Sequence, residues 1–386
     1  MPDNSNLSKA LDQTVAITQT LWRKTCVMPR LVDNRYDSAL TPANKGESVA
    51  LYDIESMSAG NVTPGAYPVA NNTINPLQRS LTLSYHQNVA FKITAKDLDS
   101  IHSGVAPRSL QTAINALAEA VDASIFAEVK KYAYQAVGTA GTTPYASSID
   151  ILSDASRMLT TAKAPKTERY HVLNEFAMGN ARKLTQFREA DKAGSPDTLN
   201  TGEVAQAYGF GWYESNNVPT HTTTGTGTYA IDAAASTGAT SIVLDDGAGA
   251  EGAVLVPGDM ITIAGSTQQY VVVSYTANLP TANEGTVSIF PALDQDIADG
   301  DAVTLVSGHR LNLVFHRDSI AFASRPYANS PITGSVIQRL IPDPETGLVL
   351  DLRLHDAWYE SYWSVSALWG CTVVPNKEGG IVRILG

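Results

Sequence analysis

The longest unbroken hydrophobic periodicity in the chain runs from Pro107 to Ala136. Apolar residues recur there at Leu110, Ile114, Leu117, Val121, Ile125, Val129 and Tyr132. Steps of three and four place them on one stripe of an α-helix. Pro107 suits the first helical turn, and Gly138 suits the residue just past the end. No Gly or Pro interrupts the run, so a helix of about 45 Å is predicted at ~1.5 Å per residue. A helix of that length implies a coiled-coil arm or a spine against which other elements pack. The stripe is Ala-rich (Ala113, Ala116, Ala120, Ala127) and has no regular flanking charges. Both features favour a spine packed by a sheet.

The flanking patterns are different. Residues 7–21 predict a short amphipathic helix with Leu7, Leu11 and Val15 on one face, and Pro29 is expected to end any helix there. A helix that short does not hold by itself, so it must dock on its own subunit or a neighbour. In 41–94, a strand at 49–54 leads into a Pro- and Gly-rich tip. Leu81, Leu83, Tyr85, Val89, Phe91 and Ile93 then alternate at period two. Two long strands joined by a polar tip form an extended hairpin. Such a hairpin is marginal alone in water and calls for support from a partner subunit. A short helix is predicted over 94–100, then helices over 149–163 and 175–188 around a strand at 169–174. Strands dominate after 308, at 310–316, 346–354, 361–374 and 379–386. The fold class is α+β with β insertions.

Charge isolates one segment. Between Thr222 and Gly308 there are ten acids and no Lys or Arg, so all but −1 of the net charge of −11 falls there. Short apolar runs at 240–244, 260–263, 270–275, 286–290 and 302–306 alternate with turns such as Pro257-Gly258 and Asp299-Gly300. They predict a small all-β barrel or sandwich. It is inserted, because the earlier character of the chain resumes at His309. Its charge would repel nucleic acid.

Chemistry is sparse. The seven histidines form no HExxH or other metal-ligand spacing, and no GxSxG, phosphate-binding loop or dinucleotide fingerprint occurs. Asp294, Asp296 and Asp301 offer oxygens, but without the EF-hand spacing; they read as solvated turn acids. No cofactor, metal or catalytic residue is expected, and the chain is not read as an enzyme. Two cysteines far apart, Cys26 and Cys371, fit a reducing compartment. The polar start reads as lacking a signal peptide, and no apolar run reaches membrane-spanning length, so no membrane partner is expected. Charged residues make up 17% of the chain, below the usual quarter. That fits either a neutral polar surface or a surface covered by copies. Arg23, Lys24, Arg30 and Arg35 cluster near the N-terminus. They suit a nucleic acid, an acidic neighbour, or plain solvation.

The order of these pieces resembles the major capsid proteins of tailed bacteriophages, with the HK97-like fold. Residues 1–40 resemble the N-terminal arm, 41–94 the extended loop, and 95–148 the peripheral domain with its spine helix. Residues 149–220 with 309–386 resemble the axial domain. The nearest likeness is to P22-type coat proteins, whose inserted barrel 222–308 would match; VLVPGDMITIAG followed by YVVVSY looks like their barrel segment. The resemblance implies a shell of hexamers and pentamers, assembled in the host cytoplasm and ending as the virion capsid. It further implies a separate scaffolding protein, a portal, and weak nonspecific contact with packaged DNA. Tyr67, Pro68 and Arg79 of the hairpin join Arg23, Lys24, Arg30 and Arg35 as inter-subunit candidates. Three other readings stand beside it: a carbohydrate-binding or hydrolytic protein using the barrel, another virion component, and a cellular nanocompartment shell of the same fold.

Overall fold

The computed structural model describes residues 22, 26–35, 42–54, 57–61, 65, 74, 76–94, 108–189, 204, 206–225, 229–245, 255–277, 284–328, 336–343, 345–357 and 360–386. Along the chain, α1 is Met28–Leu31, followed by β1 (Ser48–Ile54), β2 (Pro76–Thr82) and β3 (Tyr85–Thr94). The long helix α2 is Arg108–Val129. Then come β4 (Gln135–Val137), α3 (Asp150–Thr161), β5 (Arg169–Leu173), α4 (Glu175–Lys183) and α5 (Thr185–Arg188). Short strands β6 (Gln206–Ala207), β7 (Phe210–Glu214) and β8 (Thr220–His221) precede β9 (Tyr229–Ile231), β10 (Ser241–Asp245) and β11 (Met260–Ile263). The remaining strands are β12 (Gln269–Ala277), β13 (Glu284–Phe290), β14 (Ala302–Leu305), β15 (His309–His316), β16 (Ile320–Arg325), β17 (Val336–Pro342), β18 (Val349–Ala357), β19 (Glu360–Val373) and β20 (Ile381–Leu385).

The chain forms two compact units: residues 1–19, 33–114 and 320–377, and residues 20–32, 115–319 and 378–386. In the first, β19 pairs with β3 along one edge and with β18 and then β16 along the other, and β17 closes the sheet beyond β18. β1 and β2 form a separate antiparallel ribbon in register Ser48↔Thr82 to Ile54↔Pro76. The base of the ribbon packs through Leu51, Leu81 and Leu83 on Ala321, Ala323 and Leu368. The alternation expected as one long strand over 80–94 is therefore two strands. The chain leaves the ribbon at Leu83-Ser84 and joins the sheet as β3, because β19 offers ten register partners to it.

In the second unit a seven-stranded sheet runs β4-β20-β15-β5-β7-β6, with β8 also on β15. Helices α3 to α5 cover one face of it; Leu152, Ala155, Leu159, Ala177, Met178, Ala181 and Phe187 pack on Leu173, Trp212, Val314 and Val382. Asn174 caps α4, accepting from the Ala177 N–H at 3.2 Å. The helix expected over 175–188 is broken at Leu184, whose backbone is extended. Strands β9–β14 close into a six-stranded barrel in the order β10-β13-β12-β11-β14-β9, filled by Ile242, Leu244, Ile261, Tyr270, Val272 and Val287 among others.

The long helix ends at Val129, 22 residues from its start, or about 33 Å. Tyr132 lies in the turn beyond it and sets its ring edge-on to Phe290 at 5.4 Å. Residues 135–137 pair in parallel with β20, and that pairing outcompetes the apolar spacing that would prolong the helix. Leu110, Ile114, Leu117, Val121, Ile125 and Val129 are buried, but of the four alanines expected at the packing face only Ala113 is, and Ala116 is exposed. The strands of 309–386, expected to join 149–220, pair in two different sheets: β15 and β20 belong to the seven-stranded sheet, and β16–β19 to the sheet that holds β3. The predicted helix over 7–21 lies outside the described residues, as does the one over 94–100 except for Thr94, which ends β3, while Pro29 starts a helical turn instead of ending one.

Candidate assembly surfaces

The ribbon β1–β2 is held at three levels. At its root Gly370 permits a close approach: a Cβ there would stand 2.2 Å from the Thr82 carbonyl oxygen. At mid-length Arg79 in β2 donates from Nη1 to the Val373 carbonyl at 2.8 Å, and at the tip end Asn376 Nδ2 donates to the Ile54 carbonyl at 3.3 Å. Away from the root the apolar residues find no cover. Tyr52 is 62% exposed, Ile54 49%, and in the tip Met57 56% and Ile74 63%.

On the buried side of α2 sits a carboxylate that sequence reasoning missed. Asp122 is fully buried and accepts from the backbone N–H groups of Val27 (3.4 Å) and Met28 (3.3 Å) and from Asn217 Nδ2 (3.0 Å). It ties the turn α1 and the loop after β7 to the long helix. Burial raises its pKa to about 6, against the pull of those three donors. The fold therefore favours the protonated form. Its contribution is full below pH 3.8 and lost as pH rises through about 6, a swing of about 3 kcal/mol. Asp122→Asn is expected to remove that slope. Urea unfolding midpoints of both proteins at pH 4 and pH 7 check this: the wild type should lose more stability than the variant over that step.

The barrel joins the seven-stranded sheet through a neck. β8 and β15 pair antiparallel there, His221↔His309 and Arg310↔Thr220. His221 Nε2 bonds Asp259 Oδ1 at 2.8 Å, and Asp259 Oδ2 accepts from the Val256 N–H at 2.8 Å. His309 donates from Nδ1 to the Ser307 carbonyl at 2.9 Å. Burial, helped by Arg383 and His221, lowers its pKa to about 4, so it is neutral near pH 7. Arg383 on β20 is wholly buried and donates to the carbonyls of Gly258 and Lys130; burial lowers its pKa to about 9. Gly258 sits at φ +100°, where a side chain would be strained and would strike Lys130. One guanidinium thus links the barrel, the sheet and the turn after α2.

No family model and no curated protein sequence matches the chain. Solved structures do. A structure from Mycobacterium phage Che8 shares 14% identity and a TM-score of 0.50, covering 93% of this chain and 90% of its own. The capsid structure of Cyanophage P-SCSP1u is 13% identical with a TM-score of 0.44, covering 89% and 84%. The mature capsid of bacteriophage PhiM1 is 10% identical with a TM-score of 0.43, covering 92% and 85%. The chain has the fold of a tailed-phage coat protein.

Within this coat fold the residues singled out from sequence scatter. Arg23, Lys24, Tyr67 and Pro68 lie outside the described residues. Arg30 is exposed at the end of α1. Arg35 forks onto buried Asp33, with Nε to Oδ1 at 2.9 Å and Nη2 to Oδ2 at 2.8 Å, and Arg79 ties the middle of its own ribbon to the Val373 carbonyl. Both thus have partners in their own chain. The turn acids of the barrel bind backbone and hydroxyls: Asp294 takes the Tyr270 hydroxyl at 2.5 Å, Asp296 caps Thr237, and Asp301 takes the Ala298 N–H. No cluster of three metal-ligating side chains occurs among the described residues. Asp122 had one signal in the sequence, its place next to Val121 of the apolar stripe; the His221–Asp259 pair, 38 residues apart, had none.

Proposed function

We propose that the chain is the major capsid subunit of a tailed phage, building an icosahedral head shell around a DNA genome. The observation that carries this reading is the ribbon β1–β2. Among the described residues its strands pair only with each other, and it holds Tyr52, Ile54, Met57 and Ile74 in water. A lone two-stranded ribbon is marginal, and apolar residues grouped on a projecting arm mark an interaction surface. A neighbouring copy would supply the cover. The coat-protein fold supports the same conclusion.

The finer reading is an HK97-type subunit with an arm in 1–40, an extended loop in 41–94 and a peripheral domain carrying α2. The axial domain is built from 149–220 with the flanks of 309–386. The sheet pairing favours moving 320–377 to the peripheral side. The barrel of 222–308, entered and left through paired strands, supports a P22-type insert; its charge suits the outer face, away from DNA. Hexamers and pentamers, a separate scaffolding protein, a portal and weak DNA contact complete the proposal. A glycan-binding role for the barrel is not favoured, because Tyr229 and Tyr270 face its interior at 3% and 0% exposure.

Negative-stain microscopy and sedimentation of the chain co-expressed with its scaffold test the proposal. Closed megadalton particles are expected; a clean monomer with scaffold present overturns it. Particles filled with a protein cargo in place of DNA would reassign the shell to a cellular compartment.

A further inference from the structure

The sheet that holds β3 and β19 has one apolar and one polar face. Register partners Asn88, Ser366 and Asp351 share the polar face, as do Ser364 and Arg353. A cleft of about 280 Å³ opens there, lined by His86, Asn88, Tyr327, Arg353, Ser364 and Ser366. Arg353 is anchored from below: its Nε and Nη2 reach Asp351 Oδ2 at 2.8 and 2.7 Å, and Asp351 is 2% exposed. A guanidinium has five N–H donors in a planar fork, so this pair orients Arg353 and leaves donors for the cleft. His86 stacks on Tyr327 at 4.4 Å. Its pKa is lowered by burial first, then by Arg353 and Lys45, with Asp351 acting in the opposite direction. Arg353 is the charged side chain that lines the cleft; its partner Asp351 lies buried beneath it, and amide and hydroxyl groups ring the rest.

We propose that this cleft is a socket for a carboxylate side chain of a second copy of the chain. The proposal rests on the shell reading. Charge complementarity favours it: the chain carries 38 acids against 27 bases. Size favours it too, since pockets for drug-sized ligands typically span ~300–1,000 Å³ and are mostly apolar, whereas this one is small and polar. A carboxylate meeting a preorganised guanidinium makes charge-assisted bonds, about twice as strong as neutral ones.

Two variants and one probe test it. Asn88→Asp fills the exposed rim of the cleft with a carboxylate of its own. Asp351→Asn with Arg353→Gln removes both charges together and strands neither. Each is expected to keep the urea midpoint of the unassembled subunit and to lower particle yield about tenfold, the effect of ~1.4 kcal/mol at one contact. Sodium acetate, against sodium chloride at equal ionic strength, should raise the melting temperature of the unassembled wild type and of neither variant. Wild-type assembly by both variants, or no acetate effect, overturns the proposal. An effect of inorganic phosphate without one of acetate also overturns it, in favour of a phosphate-bearing ligand such as nucleic acid. If Asn88→Asp fails to fold, the double variant decides. If the wild type forms no particles, the shell reading falls, and the acetate comparison still decides whether the cleft takes a carboxylate.

Discussion

Replacing Leu117 and Val121 together by Asp is expected to leave no soluble, assembly-competent protein. Both side chains are buried, at 1% and 0% exposure, on the same face of the 22-residue helix. Truncating a buried aliphatic costs roughly 2–5 kcal/mol. A carboxylate in its place must either be neutralised or stay charged without a partner. Two such changes approach the total stability of a domain, about 5–15 kcal/mol. Ala116→Asp is the control, because Ala116 is exposed on the same helix and its replacement should leave yield and particles unchanged. Soluble yield and particle counts read the result, and normal particles from the double variant would refute the role of α2 as a buried spine.

Deleting 222–308 and joining His221 to His309 should weaken folding and assembly while leaving α2 in place. An Asn-Gly turn inserted at the join closes it, since the two residues are antiparallel register partners. The loss comes from the base of the barrel. Met260 and Val306 no longer cover Ala136 and Leu385, Arg383 loses the Gly258 carbonyl, and His221 loses Asp259. A charge-assisted hydrogen bond and one buried apolar side chain together contribute on the order of 3–5 kcal/mol. Urea unfolding of the deletion and its shell yield with scaffold measure the effect. A wild-type yield of intact shells would sink the idea that the insert stabilises the subunit.

Short-range pattern was legible wherever burial followed one period. The stripe Leu110 to Val129 and the strand at 169–173 obey a single local geometry, and so do the apolar runs of the insert. The barrel's charge isolation came from counting alone, and its strands fell close to the predicted runs, with β9 added. The ribbon β1–β2 was legible because its turn-rich tip and paired alternations are local. Period two could not show that 80–94 is shared between two sheets. A strand looks the same whichever partner it pairs with.

The sequence by itself determined the helical stripe from Leu110 to Val129 and the extended runs of the acidic stretch between Thr222 and Gly308. Those follow from side-chain period and composition. Only the tertiary structure decided where α2 stops, because parallel pairing of 135–137 with β20 competes with a helix that local spacing allows. It also decided how 309–386 is divided between two sheets. The polar contacts around Asp122 and Arg383 became visible only there. Their partners Asn217 and Gly258 lie 95 and 125 residues away, brought together by packing that leaves no periodic trace along the chain.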